Sequence, residues 1–160
     1  MSYYIAENSI IEKDVSIGDG TKVWYFSHIR EGAKLGKNCN VGDHVYIDQK
    51  VIIGNDCKIG NSASIYQGAI IKDGVFIGKG VTVTNVRKPK ALKKAKKYLD
   101  TIIEDGVSIE ANCTIVGGVK IGKNSIIGAG ATVIGDIPED VFVVGNPAHI
   151  VKKKPYEEKI

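Results

Sequence analysis

The sequence predicts an all-β fold in which short strands and tight turns alternate along the chain. An aliphatic residue recurs every six residues from Ile5 to Val83, and the same spacing resumes from Ile103 to Val133. Glycine is abundant, with 19 residues among 160, whereas only 7% of the residues are aromatic. An α-helix has 3.6 residues per turn and cannot hold a six-residue register. A short strand followed by a glycine-containing turn can hold it.

Each six-residue unit has a second regular position, four residues after its aliphatic anchor, where the side chain is small or β-branched. Cys39, Cys57 and Cys113 all occupy this position. They lack both the CxxC spacing and the nearby histidines of a metal site, so we interpret them as small buried hydrophobes. An odd number of cysteines also argues against a secreted disulfide framework.

The six-residue pattern resembles the hexapeptide repeat of left-handed parallel β-helices, in which three hexads form one triangular coil. The resemblance covers about residues 5–137. It implies a left-handed parallel β-helix of six to seven coils, roughly 30 Å long at the spacing of neighbouring strands. We therefore expect the β-helix over residues 1–137, with one inserted external loop at 84–102. Residues 138–160 are expected to form a short C-terminal tail that caps the helix and contacts a coenzyme.

The inserted loop carries most of the excess positive charge. The chain has 22 Lys and Arg against 18 Asp and Glu, and without the seven basic residues of the loop it would have 15 against 18. A cationic loop suits a phosphate-bearing ligand, although a solvated charged loop is the simpler alternative. No aromatic residues alternate with the lysines, so nucleic acid is not a predicted partner. The basic residues of the loop are Arg87, Lys88, Lys90, Lys93, Lys94, Lys96 and Lys97.

Three segments resemble hexapeptide acyltransferases, and more closely the N-acetyltransferases of nucleotide-linked amino sugars. They are the Gly-Asn-Pro-Ala run at 145–148, the glycine-rich coil at 127–133, and the Thr-Asn pair at 84–85 with its companion segments 23–29 and 111–116. The resemblance implies transfer of acetyl from acetyl-CoA, without a metal, to the 3-amino group of a nucleotide-linked sugar used for surface polysaccharide or glycan precursors.

The identity of the acceptor sugar depends on one residue of the loop motif. In relatives that act on dTDP-3-amino-3,6-dideoxyhexoses an acidic residue often follows the Thr-Asn pair, whereas this chain has Val86. The resemblance therefore favours UDP-2-acetamido-3-amino-2,3-dideoxyglucuronate as the acceptor. A dTDP-linked sugar or another small acceptor remains the alternative.

The same resemblance assigns the site residues. Asn85 is the predicted catalytic residue, because its side chain can accept a hydrogen bond from the sugar amine. Many relatives carry a histidine base near the loop, but this loop has none. The predicted substrate-binding residues are His28, Arg30, Tyr66, Gln67, Thr84, Arg87 and Lys88. The predicted coenzyme-binding residues are Gly118, Ala129, Gly130, Ala131, Asn146, Pro147, His149 and Lys152.

Coil geometry predicts which side chains lie below Asn85. Positions three hexads apart stack as neighbouring strands of one sheet. This rule predicts a polar strip along one edge of the helix that ends where the loop leaves, with an Arg30–Asp48 pair between coils. An ordinary solvated corner would look the same in the sequence. The stacked columns are Glu31, Gln49, Gln67 and Asn85; Arg30, Asp48, Tyr66 and Thr84; and, on the preceding face, His28, Tyr46, Ser64 and Thr82.

The implied reaction is direct acetyl transfer. The sugar amine attacks the thioester carbonyl, and the tetrahedral intermediate releases the coenzyme thiolate, which takes the proton itself. Proximity would supply most of the rate, and a backbone N–H such as that of Gly118 would stabilise the oxyanion.

The expected assembly is a homotrimer with sites between subunits, because a three-sided coil closes cleanly as a C₃ ring. We expect a cytoplasmic protein without a signal peptide or a membrane span, since no apolar run approaches about 20 residues. Two other classes remain. A γ-type carbonic anhydrase needs three histidines that converge on a metal, and His28, His44 and His149 lack its close pair. A non-catalytic scaffold would not need the loop motif.

Overall fold

The computed structural model describes residues 2–93 and 95–151, and it confirms the left-handed parallel β-helix. Within these residues there are 22 short strands and no helix. Successive strands go to three different sheets in turn, so that each coil of the chain supplies one strand to each sheet. The predicted solenoid and its six-residue period are therefore confirmed.

Three sheets form the sides of the β-helix. The nine-stranded sheet contains β1 (Tyr4–Ile5), β4 (Lys22–Val23), β7 (Asn40–Val41), β10 (Lys58–Ile59), β13 (Phe76–Ile77), β16 (Ser108–Ile109), β19 (Ile126–Ile127), β21 (Phe142–Val144) and β22 (His149–Val151). The seven-stranded sheet contains β2 (Ile10–Ile11), β5 (His28–Ile29), β8 (Tyr46–Ile47), β11 (Ser64–Ile65), β14 (Thr82–Val83), β17 (Thr114–Ile115) and β20 (Thr132–Val133). The six-stranded sheet contains β3 (Ser16–Ile17), β6 (Lys34–Leu35), β9 (Ile52–Ile53), β12 (Ala69–Ile71), β15 (Thr101–Ile103) and β18 (Lys120–Ile121).

The core is a single column of aliphatic side chains. In nearly every strand of the repeat the anchor residue faces inward and the residue before it faces outward, because side chains alternate along a strand. Ile65, for example, is completely buried, whereas Ile10 on the same sheet is 57% exposed. The anchors of the first coil, Ile5, Ile11 and Ile17, are only half-buried because no coil lies below them.

The small residues at the corners are also interior, and the polar ones among them bond to the next coil. Ser27 Oγ donates to the carbonyl of Gly42 at 2.8 Å. The Cys39 thiol donates in the same way to Gly54 O at 3.1 Å, and the Cys113 thiol to Gly128 O at 3.1 Å. All three cysteines are free and buried, and burial raises the pKa of the Cys113 thiol. Their interpretation as packing residues is confirmed.

The inserted loop is two residues shorter than predicted. Thr101 and Ile102 already belong to β15, where they pair with Ala69 and Ile70 of β12, so the loop spans 84–100. The six-residue spacing fixes only the anchor positions, and it gives no sign that a strand begins two residues before its anchor, as β15 does.

The C-terminal segment also differs from the prediction. Strand β21 continues the nine-stranded sheet in parallel register with β19, so the helix extends to Val144 rather than ending at 137. Strand β22 then turns back and pairs antiparallel with β21. Of the described residues, 145–151 therefore follow the last coil, and Ala148 among them packs against the core. Within the described residues, no helix is long and apolar enough to cross a bilayer.

The packing predicts that Ile65→Ala lowers the free energy of unfolding by about 2–5 kcal/mol, because the narrow interior cannot collapse around the cavity. Ile10→Ala, the same change at an outward position of the same sheet, should alter it by less than about 1 kcal/mol. Chemical denaturation measures both values. Equal losses in the two variants would contradict the assignment of inward and outward faces.

Candidate active site

The predicted polar strip lies along the corner between the seven-stranded and six-stranded sheets. Strand registers stack His28 on Tyr46, Tyr46 on Ser64, and Ser64 on Thr82, as the coil rule predicts. This column lies on the seven-stranded sheet, which is the face that precedes the corner. His28 belongs to β5, and Arg30 follows that strand at the corner itself.

A glutamate that sequence reasoning missed joins these residues. Glu12 Oε1 lies 2.8 Å from His28 Nε2 and 2.8 Å from Arg30 Nε, while its Oε2 accepts the backbone N–H of Glu31 at 2.9 Å. The Glu31 N–H lowers the pKa of the Glu12 carboxyl the most, followed by the His28 bond. Because a carboxylate only accepts, His28 donates through Nε2 and keeps Nδ1 for other partners.

Arg30 links this cluster to the next coil. Its Nη1 lies 3.1 Å from the Tyr46 hydroxyl and 3.6 Å from Asp48 Oδ1, which confirms the predicted Arg30–Asp48 pair. Burial raises the pKa of Tyr46, so its hydroxyl stays protonated and donates to Asp48 at 3.2 Å. With carboxylates on two sides, the charge of Arg30 is compensated within the protein.

Aromatic rings continue the strip toward the loop. The rings of His28 and Tyr46 meet edge to face with centroids 5.8 Å apart, and those of Tyr46 and Tyr66 lie 5.5 Å apart. Tyr66 is 38% exposed. His28 lies three coils below Thr82, which is about 14 Å at the spacing of neighbouring strands. His28 and Arg30 are therefore remote from Asn85 on the same chain, whereas Tyr66 and Gln67 lie one coil below it.

Asn85 lies where the loop leaves the helix, and its surroundings fix the backbone but leave the side chain free. The backbone carbonyl of Asn85 accepts Leu99 N–H at 3.1 Å, which closes the base of the loop. Thr84 Oγ1 accepts Gly117 N–H at 3.0 Å. A Cβ at Gly117 would lie 2.8 Å from Asn85 Cα, so this close approach requires glycine. The half-buried Asn85 amide makes no hydrogen bond with other described residues.

Arg87 holds the loop against the coil above. Its Nε donates to Gly117 O at 2.9 Å, and Nη2 lies 3.5 Å from Gly118 O. Lys88 is exposed and makes no ion pair with other described residues. The Gly118 N–H already donates to Thr101 Oγ1 at 2.9 Å. The hypothesis that this amide stabilises an oxyanion is therefore wrong in this geometry.

The predicted coenzyme-binding residues do not form one group. Ala131 is completely buried in the core, so the prediction that it contacts a coenzyme is wrong. Lys152 lies outside the described residues. Gly118 is on the corner of Asn85. The others are exposed on the corner between the nine-stranded and seven-stranded sheets or at the C-terminal end, namely Ala129, Gly130, Asn146, Pro147 and His149.

Two sets of candidate residues therefore lie on different corners of the chain. The seven-stranded sheet separates the corner of Asn85 from the corner of Ala129 and Gly130. A coenzyme held at the second corner of one chain does not share a cleft with Asn85 of that chain. Among residues 2–93 and 95–151 there is no group of three or more side chains suited to hold a metal ion.

The sequence did contain the signal for Glu12. Glu12 precedes Arg30 by 18 residues, as Arg30 precedes Asp48, so the coil rule extends this column by one more step.

Comparison with known proteins identifies the repeat. The sequence model of the bacterial transferase hexapeptide family (six repeats) matches residues 14–49, 50–85 and 100–135. The bifunctional protein GlmU of Streptococcus gordonii is 42% identical over 156 residues, which are 98% of this chain and 32% of that protein. The chain thus spans about a third of the length of the first curated relatives it matches.

Another relative is matched over most of its length. The dTDP-3-amino-3,6-dideoxy-alpha-D-galactopyranose 3-N-acetyltransferase of Aneurinibacillus thermoaerophilus is 46% identical over 147 residues, covering 92% of this chain and 76% of that protein.

Solved structures agree on the fold. LpxA from Bacteroides fragilis, a UDP-N-acetylglucosamine acyltransferase, superimposes with a TM-score of 0.79 at 19% identity, covering 94% of this chain and 60% of that one. The hexapeptide-repeat acetyltransferase VCA0836 of Vibrio cholerae, complexed with acetyl coenzyme A, superimposes with a TM-score of 0.52 at 26% identity, covering 87% and 70%.

The cluster around Glu12 predicts a pH-dependent contribution to stability. A carboxyl whose pKa is lowered by folding stabilises the protein fully above its ordinary pKa of 4.5, and this stabilisation is lost as the pH falls through the folded-state pKa. Glu12→Gln should therefore be less stable than wild type near pH 7, and the difference should shrink below pH 4.5.

Thermal melts of both proteins between pH 3 and 7 measure this difference. The matched control is Glu139→Gln, which removes an exposed carboxylate that makes no ion pair with other described residues. A difference between wild type and Glu12→Gln that stayed constant across this range would contradict the role of the Glu12 charge.

Proposed function

This chain belongs to the bacterial transferase hexapeptide family, and we propose that it is an acetyl-CoA-dependent N-acetyltransferase. Its acceptor is the 3-amino group of a nucleotide-linked sugar. The observation that carries the proposal is the Asn85 side chain, held at the mouth of the inserted loop with its amide free of partners among the described residues. The 3-N-acetyltransferase from A. thermoaerophilus, similar over most of its length, supports this acceptor class.

In the proposed reaction Asn85 is the catalytic residue. Its Oδ1 accepts a hydrogen bond from the neutral sugar amine and directs the nitrogen lone pair at the thioester carbonyl. The C–N bond forms, the tetrahedral intermediate collapses, and the C–S bond breaks. The departing thiolate takes the proton that the amine loses. No side-chain base is required, because a sugar amine is partly neutral near pH 7 and positioning supplies most of the rate.

The acceptor we favour is a UDP-linked 3-amino-uronate, on the basis of Val86 after the Thr-Asn pair. Arg30 is a poor partner for the uronate carboxylate, because Glu12 and Asp48 already compensate its charge. Lys88, exposed beside Asn85, is the better candidate. A dTDP-linked 3-amino-3,6-dideoxyhexose is the second candidate acceptor, supported by the relative that acts on the galactose form.

For acetyl-CoA, we propose a site shared between subunits of a homotrimer in the cytoplasm. Asn85 and the loop of one subunit would face Ala129, Gly130 and residues 145–151 of the next, which brings together two corners that lie apart on one chain. C₃ symmetry repeats this contact three times and closes the ring. The acetyl-CoA complex of VCA0836 supports the co-substrate. Sedimentation equilibrium that gives a stable monomer under assay conditions would contradict the shared site.

The direct test is release of free thiol from acetyl-CoA, followed colorimetrically, across UDP- and dTDP-linked 3-amino sugars. We expect turnover with at least one 3-amino sugar nucleotide and none with the matching 3-hydroxy sugar, which cannot present an amine. A preference for the UDP-uronate should weaken in Lys88→Ala, whereas activity on an uncharged sugar should change less. Turnover with free amino acids alone would overturn the proposal.

Asn85→Ala should lower kcat/KM by about 10- to 100-fold, the loss expected for one hydrogen bond to a group that becomes charged. The matched control is Asn61→Ala, an exposed asparagine on the corner between the nine-stranded and seven-stranded sheets. Steady-state thiol-release kinetics and melting temperatures measure both variants. Full kcat/KM in a folded Asn85→Ala protein would remove Asn85 from the mechanism.

A further inference from the structure

We propose that the cleft between the inserted loop and the six-stranded sheet binds the diphosphate and base of a nucleotide. This loop cleft has a volume of about 430 Å³ and is lined by Lys50, Ile52, Ile70, Lys96, Lys97 and Tyr98. It lies on the six-stranded side of the loop, away from the polar strip of His28 and Arg30. The proposal rests on the proposed function only for the choice between nucleotide ligands.

Cations enter the loop cleft from two opposite elements. Lys50 belongs to the turn between β8 and β9, whereas Lys96 and Lys97 belong to the loop. None of the three makes an ion pair with other described residues. Asp100 is the only carboxylate among the lining residues. Three lysines and one carboxylate give the lining a net positive charge, which suits a diphosphate.

Apolar surface accompanies the charge. Ile52 and Ile70 are outward-facing residues of adjacent strands, 42% exposed and half-buried respectively, and they form the floor. The ring of Tyr98, 41% exposed, stands on the loop side. A simple anion site needs no such platform. A nucleobase does, because it gains about 1–3 kcal/mol by stacking on an aromatic ring. The volume falls within the range of small-molecule pockets.

The loop is held in place over this cleft. Thr101 N–H donates to Gly68 O at 3.0 Å. Gly68 has a φ of +99°, and a Cβ there would collide with Leu99 O, so only glycine admits the base of the loop so close to the coil. The base of the loop, at one end of the cleft, is therefore held against the coil.

The loop cleft also connects with the reacting corner. Gln67 lines it and lies one coil below Asn85 in the same column. A nucleotide held between Lys50 and Lys97 can therefore extend its attached group past Gln67 toward Asn85. Both the sugar nucleotide and coenzyme A carry a nucleoside diphosphate, and the experiment distinguishes them.

Isothermal titration of the full-length protein with UDP, dTDP, coenzyme A and inorganic pyrophosphate tests the proposal without turnover. The double variant Lys96→Ala/Lys97→Ala and the single variant Lys50→Ala should each raise the Kd of a nucleotide by about 10- to 100-fold. The control is Lys37→Ala/Lys58→Ala, which removes the same charge from exposed positions on other faces and should leave Kd within about twofold. Melting temperatures verify that each variant is folded.

If the lysine variants weaken the binding of UDP and dTDP but not of coenzyme A, the sugar nucleotide is the occupant of the cleft. If they weaken the binding of coenzyme A but not of UDP and dTDP, the coenzyme is the occupant. Tyr98→Ala should weaken the nucleotide but not pyrophosphate. Equal effects of Tyr98→Ala on both, unchanged Kd values in the lysine variants, or a wild type that binds none of the probes would each overturn the proposal. If nucleotide binding depends on the lysines but no acetyl transfer is found, the proposed nucleotide site is supported and only the proposed function is refuted.

Discussion

The narrow triangular interior of each coil is the constraint on which the rest of the structure depends. One side of a coil is a single short strand, so the interior accepts one aliphatic side chain per side and one small side chain per corner. The chain meets this limit with Ile, Val or Leu at the anchors and Ala, Ser, Thr, Cys or Val at the corners. Corner groups such as the Ser27 hydroxyl and the Cys113 thiol then donate to a carbonyl of the next coil, which lets polar atoms enter a dry core.

The same constraint explains how the candidate site is built. Because three sides repeat every 18 residues, side chains of distant sequence position become neighbours in a column, as Glu12, Arg30 and Asp48 do. Above Thr82 the repeat is 32 residues instead of 18, since its partner is Thr114. The helix accommodates the additional chain outside its lattice, and the coils on either side stack without a defect. Asn85 lies at the point of departure, where the backbone is fixed and the side chain is not part of the packing.

The sequence alone predicts the repetitive part of the molecule well, because the hexad is a direct record of inward and outward positions. It predicts the columns and the Arg30–Asp48 pair for the same reason. It fails where two sources of inference conflict. Family resemblance assigns Ala131 to a coenzyme, whereas its place in the hexad makes it interior, and the structure agrees with the hexad. Periodicity cannot predict that the Gly118 N–H is occupied, because this depends on its hydrogen bond to Thr101. It also cannot predict where the loop ends, because this depends on the pairing of β15 with β12.

A β-helix of this kind has smooth sides, and that limits where a ligand can bind. Each short strand of the repeat presents a single outward side chain, so a single chain offers shallow surfaces. A deeper site needs either an interruption of the coil or a second chain. The inserted loop provides the first, and in doing so it creates a cleft on one side of itself while Asn85 lies at its base. The predicted coenzyme-binding residues lie on another corner, so a deep site there requires a second chain. The regular coils offer neither an interruption nor a second chain. The positive charge of the loop and the free side-chain amide of Asn85 therefore both occur where the repeat is interrupted.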